Sequence, residues 1–376
     1  MRRVAERSVR EFRAPDEAGA EERAWRVVHA AYLAREPVPS VRSRRRWALA
    51  PALALLLAGL VLSPAGARVG QIITHALGVS HAARKLSSLP SPGRVLVSGP
   101  GGTWIAAADG STRHLGAWPQ ASWSPRGLYV AVASGDRLAA VDPRGHLQWA
   151  STRPRVSDPR WYEPSGYRVA YLSAGTLRVI AGDGTNDHLL AAHAARVAPA
   201  WRPGAALGPF ELAYVSAGGR VVLRDGDTGA VLWSVRPGSR PRELVWSSDG
   251  RRLVVLTARD VRTYASGGAL LSTLRVAASD GALSPDGRSL ALVVNHDQVL
   301  VAGHRLFAGS GVRAVSWSPD GRWLLVDWPA ADQWVFVRAG GAPFVAAVSR
   351  IAQQFSAAGA FPQVEGWCCT ARGRAG

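Results

Sequence analysis

One short segment recurs at nearly regular intervals along this chain and constrains its fold more than any other feature. Its complete form is Trp-Ser-Pro-Asp-Gly, at residues 317–321. Related copies begin at Trp123, Trp161, Trp201, Trp246 and Leu283, so that successive copies start 38, 40, 45, 37 and 34 residues apart. Repeats of about 40 residues are typical of β-propellers, in which each repeat forms one four-stranded blade.

Each copy also predicts a tight turn between two strands. Proline fixes the backbone φ of the second position of the turn, and glycine accepts the left-handed conformation that follows it. We therefore interpret the repeated residues as structural. They are Trp123, Trp161, Trp201, Trp246 and Trp317 before the turns, and Pro125, Pro285, Pro319, Asp249, Asp286, Asp320, Gly127, Gly250, Gly287 and Gly321 within them.

Apolar runs follow the turns without the alternation that marks a sheet with one solvated face. Examples are residues 129–133, 253–256, 290–294 and 323–326. A strand of continuous apolar character is buried on both faces, as happens between the stacked blades of a propeller. A two-sheet sandwich would show clearer alternation. The sequence therefore predicts an all-β fold, a β-propeller.

The two ends of the repeat region predict how the ring closes. Residues 94–116 resemble one blade without its opening strand. Residues 362–367, which end at Trp367, are similar to residues 119–123, which end at Trp123. We predict that a C-terminal strand completes the first blade, which removes an exposed sheet edge. The propeller then spans residues 93–370 and has seven blades, with six as the alternative. Residues 344–355 are predicted to form a short helix leading to the closing strand.

The only two cysteines, Cys368 and Cys369, follow this strand directly. Their adjacency excludes a disulfide framework and a metal site, both of which need spaced residues. Neighbouring Cα atoms lie about 3.8 Å apart across a trans peptide, below the usual disulfide range, so a bond between them would be strained and easily reduced. Two interpretations stay open: two small apolar residues packed at the end of the closing strand, or a reducible pair.

An uncharged, mostly apolar segment precedes the repeats at residues 47–67. At about 1.5 Å per residue, a helix of this length crosses the hydrocarbon layer of a membrane. Arg42, Arg44, Arg45 and Arg46 stand directly before it, which keeps the N-terminal side in the cytoplasm and exports the rest. We predict a single transmembrane helix in the cytoplasmic membrane. The alternative is cleavage after Ala67, as in a signal peptide.

The segments on either side of this span complete the predicted domain organisation. Residues 1–46 are a predicted cytoplasmic, arginine-rich arm, and residues 68–92 are a predicted linker to the propeller. Within the arm, Trp25, Val28 and Tyr32 share one face of a short amphipathic helix. A partner helix or the inner membrane surface would cover this face.

The formal net charge of +18 comes almost entirely from arginine. A basic surface attracts nucleic acid, anionic lipid headgroups or anionic polymers. Here the basic residues are scattered between strands, and no nucleic-acid-binding motif accompanies them. We therefore do not expect nucleic acid as a partner.

The sequence contains no Gly-x-Ser-x-Gly elbow, no His-Glu-x-x-His and no phosphate-binding loop. We therefore expect neither catalysis nor a metal or cofactor. His188 and His296 lie at predicted strand-to-turn positions, where they could face the mouth of the ring, although a single histidine on a turn is more often a solvated side chain than a ligand. Acids and histidines that converge there with shifted pKa values would favour an enzyme, whereas an exposed apolar patch would favour a binding scaffold.

In its turns the chain resembles the TolB-like β-propellers, whose repeat is a Trp-Ser-Pro-Asp-Gly turn followed by an apolar strand. This resemblance covers residues 94–341 and implies a protein-binding platform of the bacterial cell envelope. A second resemblance, to the turns of quinoprotein-type propellers, covers residues 225–233 and, in a shortened form, residues 142–149. This second resemblance implies that the tryptophan at the end of each segment packs against the next blade. No residues of this sequence match those that bind the quinone cofactor in that family.

The first hypothesis is therefore a non-enzymatic scaffold, tethered outside the cytoplasmic membrane by residues 47–67, with envelope proteins as partners. One alternative is an envelope hydrolase or lyase with a site at the mouth of the ring. The other is a sensor that reports a ligand on the ring through the cytoplasmic arm. The sequence indicates no particular oligomeric state.

Overall fold

The computed structural model describes residues 85–340, 344–355 and 359–369. The predicted arm, the predicted transmembrane segment and residues 68–84 of the predicted linker lie outside these residues. Within the described ranges, no helix is both long and apolar enough to cross a membrane.

The described residues form seven antiparallel sheets of four strands. The first three blades, innermost strand first, are β28 (Gln363–Cys368), β1 (Arg94–Ser98), β2 (Thr103–Ala107), β3 (Thr112–Gly116); β4 (Gln120–Trp123), β5 (Val130–Ser134), β6 (Arg137–Val141), β7 (Leu147–Thr152); and β8 (Val156–Trp161), β9 (Arg168–Ser173), β10 (Thr176–Ala181), β11 (His188–Ala191). The fourth and fifth are β12 (Ala200–Trp201), β13 (Glu211–Val215), β14 (Val221–Asp225), β15 (Val231–Val235); and β16 (Pro241–Trp246), β17 (Arg252–Thr257), β18 (Val261–Ala265), β19 (Leu270–Leu274). The last two are β20 (Ala278–Leu283), β21 (Leu290–Val294), β22 (Gln298–Val301), β23 (His304–Ala308); and β24 (Ala314–Trp317), β25 (Trp323–Trp328), β26 (Gln333–Arg338), β27 (Val345–Ser349).

The innermost strands contact one another around the centre of the ring. Each contacts the innermost strand of the next blade, and β28 contacts both β24 and β4. Between every pair of neighbouring blades lies a separate cluster of buried apolar side chains. The second strand of each blade contributes to the clusters on both of its sides, because successive side chains point to opposite faces. The prediction that the apolar runs are buried on both faces is confirmed.

The C-terminal strand closes the ring as predicted. β28 pairs antiparallel with β1, and Val95 lies opposite Trp367. The first blade therefore takes three strands from the start of the repeat region and its innermost strand from the end. The Trp367 side chain packs edge-on against Phe336 of the seventh blade, with ring centroids 5.6 Å apart. Seven blades, and not six, are confirmed.

The helix predicted over residues 344–355 is wrong for most of its length. Residues Val345–Ser349 form β27, the outermost strand of the seventh blade, and only Ile351–Phe355 form a helix, α1. A short apolar run does not distinguish strand from helix by its pattern. Here the segment forms a strand because it pairs with β26. The helix α1 follows it and places the Phe355 ring against the Trp334 ring, with centroids 4.9 Å apart.

The last residues of the predicted linker belong to the propeller. Leu86 and Leu89 are buried in the apolar cluster between the seventh and first blades. The backbone N–H of Leu86 donates to Gln354 Oε1 (3.0 Å), and that of Leu89 donates to the carbonyl of Ala108 (2.9 Å). The segment before β1 therefore reinforces the interface at which the ring closes.

We predict that a chain ending after Gly359 unfolds at a markedly lower temperature than the full chain. This truncation removes β28, so that β1 loses its inner partner, and loss of a buried tryptophan side chain alone costs about 3–5 kcal/mol. Thermal unfolding followed by circular dichroism measures the effect. A chain ending after Cys369 keeps β28 and is the control. Equal melting temperatures for the two shortened chains would contradict this account of the closure.

Candidate functional site

Three of the repeated turns share one hydrogen-bond pattern. Ser318 Oγ–H donates to Asp320 Oδ1 (2.6 Å), and this oxygen also accepts the backbone N–H of Arg322 (3.1 Å). Gly321 has a φ of +68° and donates its N–H to the carbonyl of Ser318 (2.9 Å). The same bonds recur in the turns at residues 247–251 and 284–288. The predicted turn residues therefore serve the fold.

The turn prolines contact glycines of neighbouring turns. A Cβ added to each glycine would lie within 3.5 Å of the proline: Pro125 at Gly166, Pro285 at Gly321 and Pro319 at Gly93. Proline and glycine in this repeat therefore shape the contact between blades as well as the turn itself.

The tryptophan before a turn links its blade to the preceding one. Its indole Nε1–H donates to a backbone carbonyl on the innermost strand of that blade. The three bonds run from Trp201 to Arg160 (2.9 Å), from Trp246 to Ala200 (3.2 Å) and from Trp317 to Ala282 (3.1 Å). A hydrogen bond of this kind contributes about 1 kcal/mol net, in addition to the burial of the ring.

Trp123, Trp161 and Trp367 occupy the equivalent position but act through packing. Their indole nitrogens are buried and have no hydrogen-bond partner within the described part of the chain. The guanidinium of Arg94 lies 4.9 Å from the ring centroid of Trp123. The ring of Tyr129 stacks on that of Trp161, with centroids 6.5 Å apart.

The second pair of tryptophans packs as the quinoprotein resemblance implies. Trp149 Nε1–H donates to the carbonyl of Gly182 (2.9 Å), and Trp233 Nε1–H donates to that of Ser266 (2.7 Å). Both acceptors lie in a turn of the next blade. These tryptophans, which lie on outermost strands, therefore join neighbouring blades in the outer part of the ring.

Cys368 and Cys369 form a disulfide with each other at the end of the closing strand. Of the two interpretations left open by the sequence, the bonded pair is the one the structure contains. Cys369 Sγ lies 3.3 Å from the carbonyl oxygen of Pro125. The pair therefore sits against the first turn of the second blade, next to the site of ring closure.

Polar side chains on the innermost strands also join neighbouring blades. Each accepts a backbone N–H from the innermost strand of the next blade. The three bonds are Gln120 Oε1 from Asp158 (2.7 Å), Glu243 Oε2 from Gly281 (3.1 Å) and Asp280 Oδ2 from Val315 (2.8 Å). An innermost strand has one edge without a strand partner, and its N–H groups need acceptors. These side chains supply them.

Two further acids lie near this inner ring. Asp327, on β25, is fully buried and pairs with the Arg313 guanidinium (2.8 Å). Glu365, on β28, accepts the hydroxyl of Ser98 (2.5 Å). Both acids therefore have specific partners, as buried carboxyl groups require.

Burial raises the pKa values of the inner-ring acids. Loss of solvation raises the pKa of Asp280 to about 7 and that of Asp327 to about 6, and the nearby Arg313 guanidinium opposes both shifts. Loss of solvation also raises the pKa values of Glu243 and Glu365. Glu243, Asp280 and Glu365 are half-buried by surface area but surrounded by protein, as expected for side chains that line a narrow channel.

Sequence reasoning missed this inner ring, although the repeat contains its signal. Gln120, Asp158, Glu243 and Asp280 each stand three residues before the residue that leads a turn. A polar residue at one fixed position of several otherwise apolar strands indicates a shared structural role. The bonding partner lies on the next blade, however, and only the ring geometry identifies it.

The two histidines considered for the mouth of the ring are not on its innermost strands. His188 begins the outermost strand β11, and its Nε2 is 2.9 Å from the carbonyl oxygen of Gly226 on the next blade. His296 lies in the turn between β21 and β22, and its carbonyl accepts the backbone N–H groups of Gly311 (2.7 Å) and Val312 (2.9 Å), which precede the innermost strand β24. Among the described residues, no group of three or more potential ligands is placed to hold a metal ion. Of the inner-ring acids, Glu243 and Asp280 thus serve contacts between blades, and Asp327 and Glu365 are paired within their own blades.

Exposed apolar side chains concentrate on the outermost strands of two neighbouring blades, β15 and β19, which we call the apolar edge. Its members are between 48% and 56% exposed: Val231, Leu232, Leu270, Leu271 and Leu274. Trp233 lies between the two strands and packs against Gly268, where an added Cβ would be 3.0 Å from the ring. Trp233 therefore joins the two blades that carry the apolar edge.

Comparison with solved structures supports the ring architecture. The β-propeller domain of Cps50 (Swd1) from Myceliophteria thermophila is 17% identical, with a TM-score of 0.52 over 66% of this chain and 92% of that one. Hsv2 from Kluyvelomyces marxianus is 15% identical, with a TM-score of 0.50 over 65% and 87% of the two chains. The chain folds as a seven-bladed β-propeller. At these identities the similarity shows the fold alone.

No protein-family profile matches the sequence, and no curated protein is similar to it. Membership of the TolB-like family therefore stays a prediction from the turns.

The raised pKa of Asp280 predicts how stability depends on pH. The native carboxyl keeps its proton to a higher pH than the unfolded one, so native stability falls as pH rises from about 4 to about 7. Asp280→Asn keeps an oxygen acceptor for Val315 and carries no charge. We expect it to melt above the wild type at pH 8, with the difference disappearing towards pH 4.

Thermal unfolding across this pH range tests the prediction. Asp183→Asn, in an exposed turn where bonds from Thr185 lower the pKa of the acid, is the control and should show no gain at pH 8. A difference between wild type and Asp280→Asn that is the same at every pH would contradict the proposed cause.

Proposed function

We propose that this propeller is a protein-binding scaffold of the bacterial cell envelope. The observation that carries the proposal is the apolar edge on β15 and β19. A soluble domain seldom exposes several large apolar side chains side by side unless they meet a partner. Among the described residues, the raised pKa values of the inner-ring acids are the one feature that an enzyme at the mouth would share. Glu243 and Asp280, however, accept backbone N–H groups of the next blade, and Asp327 and Glu365 are paired with Arg313 and Ser98, so each acid has a structural role.

The strand at this edge is suited to pairing with another chain. β19 ends its sheet, so one side of its backbone is unpaired among the described strands. Its sequence, Leu-Leu-Ser-Thr-Leu, contains neither a charge nor a proline, the features that usually discourage edge-to-edge pairing. A partner would add an extended segment to β19 and cover the leucines with its own apolar side chains.

The membrane tether is part of the same proposal and rests on the sequence. The arginines at 42–46 before the apolar segment 47–67 support a cytoplasmic N terminus and an exported ring. The resemblance of the turns to TolB-like propellers supports a role in the envelope. In this arrangement the ring meets its partner near the outer side of the cytoplasmic membrane.

We predict that Leu271→Lys removes specific partners from a cross-linked pull-down of the full-length protein from intact cells. A charge at the centre of the apolar edge opposes burial there, while the exposed position leaves the fold intact. Mass spectrometry of the captured proteins measures the loss. Leu147→Lys, a similarly exposed residue on the outermost strand of the second blade, is the control. If both variants capture the wild-type set, the apolar edge is not the binding surface.

We predict that the full-length protein stays in the membrane pellet after carbonate extraction, because an inserted helix resists conditions that release surface-bound proteins. Replacing Leu55 and Leu56, at the centre of the span, with aspartate should release it, since a charge at the centre of a membrane helix costs about 2.5–3.5 kcal/mol. Immunoblotting of pellet and supernatant measures the distribution. Release of the unmodified protein would show that residues 47–67 are not an anchor.

A further inference from the structure

The first turn of the second blade departs from the repeat in its charge. It is one of four turns of the repeat that contain Ser-x-x-Gly, and the other three of these read Asp-Gly-Arg, at residues 249–251, 286–288 and 320–322, whereas this one reads Arg126-Gly127-Leu128. An arginine cannot accept the hydroxyl and N–H bonds that aspartate accepts in those turns. This turn therefore lacks two local bonds that its counterparts have. A position that breaks a local rule without a structural gain points to a function.

This turn forms one wall of a groove between the second and third blades. The groove has a volume of about 610 Å³, within the range of about 300–1,000 Å³ that is usual for small-ligand sites. Tyr129, Trp149 and Tyr167 line it with aromatic rings. Tyr129 is 41% and Tyr167 is 50% exposed, although rings of this size usually bury more of their surface.

The groove also offers polar groups that other parts of the protein do not use. The hydroxyls of Tyr129 and Tyr167 and the guanidinium of Arg126 have no hydrogen-bond or ionic partner among the described residues. Asp183 uses Oδ1 for the N–H and hydroxyl of Thr185, and its Oδ2 makes no hydrogen bond among the described residues, although the nearby Arg168 guanidinium helps to lower the pKa of this acid. Hydrogen-bond donors, acceptors and one unpaired cation therefore line the same groove as the aromatic rings.

This combination identifies the chemistry of a ligand. A sugar ring has apolar C–H faces that pack on aromatic rings, and its hydroxyls need both donors and acceptors. A proline-rich peptide, another occupant of aromatic-lined grooves, offers carbonyl acceptors but few donors, and would leave Asp183 unmatched. The unpaired guanidinium of Arg126 suits a carboxylate, which it binds through two parallel hydrogen bonds.

We propose that the groove between the second and third blades binds an anionic glycan that contains uronic acid residues. The carboxylate of one sugar pairs with Arg126, and sugar faces stack on Tyr129 and Tyr167. The groove lies on different blades from the apolar edge. Failure of the glycan-binding proposal would therefore leave the protein-binding proposal unaffected, and the reverse also holds.

Oligogalacturonate is the probe, titrated into the full-length protein in detergent while tryptophan fluorescence is recorded. We expect saturable binding, weakened at least about tenfold in Arg126→Asp, because the variant replaces a charge-assisted bond with repulsion. Arg126→Asp restores the sequence of the other turns, so it should melt at or above the wild-type temperature. Arg251→Asp makes the same charge change at an exposed turn of the fifth blade and should bind within about twofold of the wild type.

Further probes separate sugar recognition from charge alone. Tyr167→Ser removes an exposed ring and should weaken oligogalacturonate binding at least about fivefold, and a neutral maltooligosaccharide of equal length should bind at least about tenfold more weakly than oligogalacturonate. Polyglutamate supplies carboxylates without sugar rings. Equal affinity for polyglutamate, no effect of Tyr167→Ser, or oligogalacturonate binding that is absent or insensitive to Arg126→Asp would each overturn the proposal.

Discussion

Each blade of this ring has two apolar faces, and the strands of the blade itself cover neither. A four-stranded sheet of this kind is stable only against neighbours on both sides. The tryptophan before a turn makes that contact specific, because its ring fills the space between blades, and in three blades its N–H also bonds to the preceding innermost strand, as in Trp246 to Ala200. Each blade is therefore positioned by its neighbour. Only a closed ring gives every blade a neighbour on both sides, so that no apolar face is left exposed.

Closure also explains why the chemistry of the contacts changes from the outside of the ring to its centre. Between the blades the contacts are apolar, but the innermost strands meet around a narrow channel with unpaired N–H groups. Acids such as Asp280 satisfy these groups, and their burial raises their pKa values. A group of buried acids in a channel resembles an active site electrostatically. Here the hydrogen bonds from blade to blade give it a structural explanation.

Sequence predicts the parts of this molecule that depend on local pattern. The spacing of the repeat predicted the blades, and the turn residues predicted the connections between strands. The similarity between the segments ending at Trp123 and Trp367 predicted that the C-terminal strand closes the ring. It did not predict contacts that need the register of two blades. The acceptor role of Glu243 depends on where Gly281 lies in the next blade, and the strand at Val345–Ser349 depends on pairing with β26.

A repeat protein also permits a comparison among its own blades. Because seven blades meet the same packing demands, a residue that serves packing should recur, and a residue that breaks the pattern needs another reason. The aspartates of the turns recur and are explained by their bonds to serine and backbone. Among the four Ser-x-x-Gly turns of the repeat, Arg126 alone breaks that pattern, and it does so beside exposed aromatic rings. The groove beside Arg126 and the apolar edge on β15 and β19 lie on different blades, so the ring has room for two separate binding surfaces on one rigid frame.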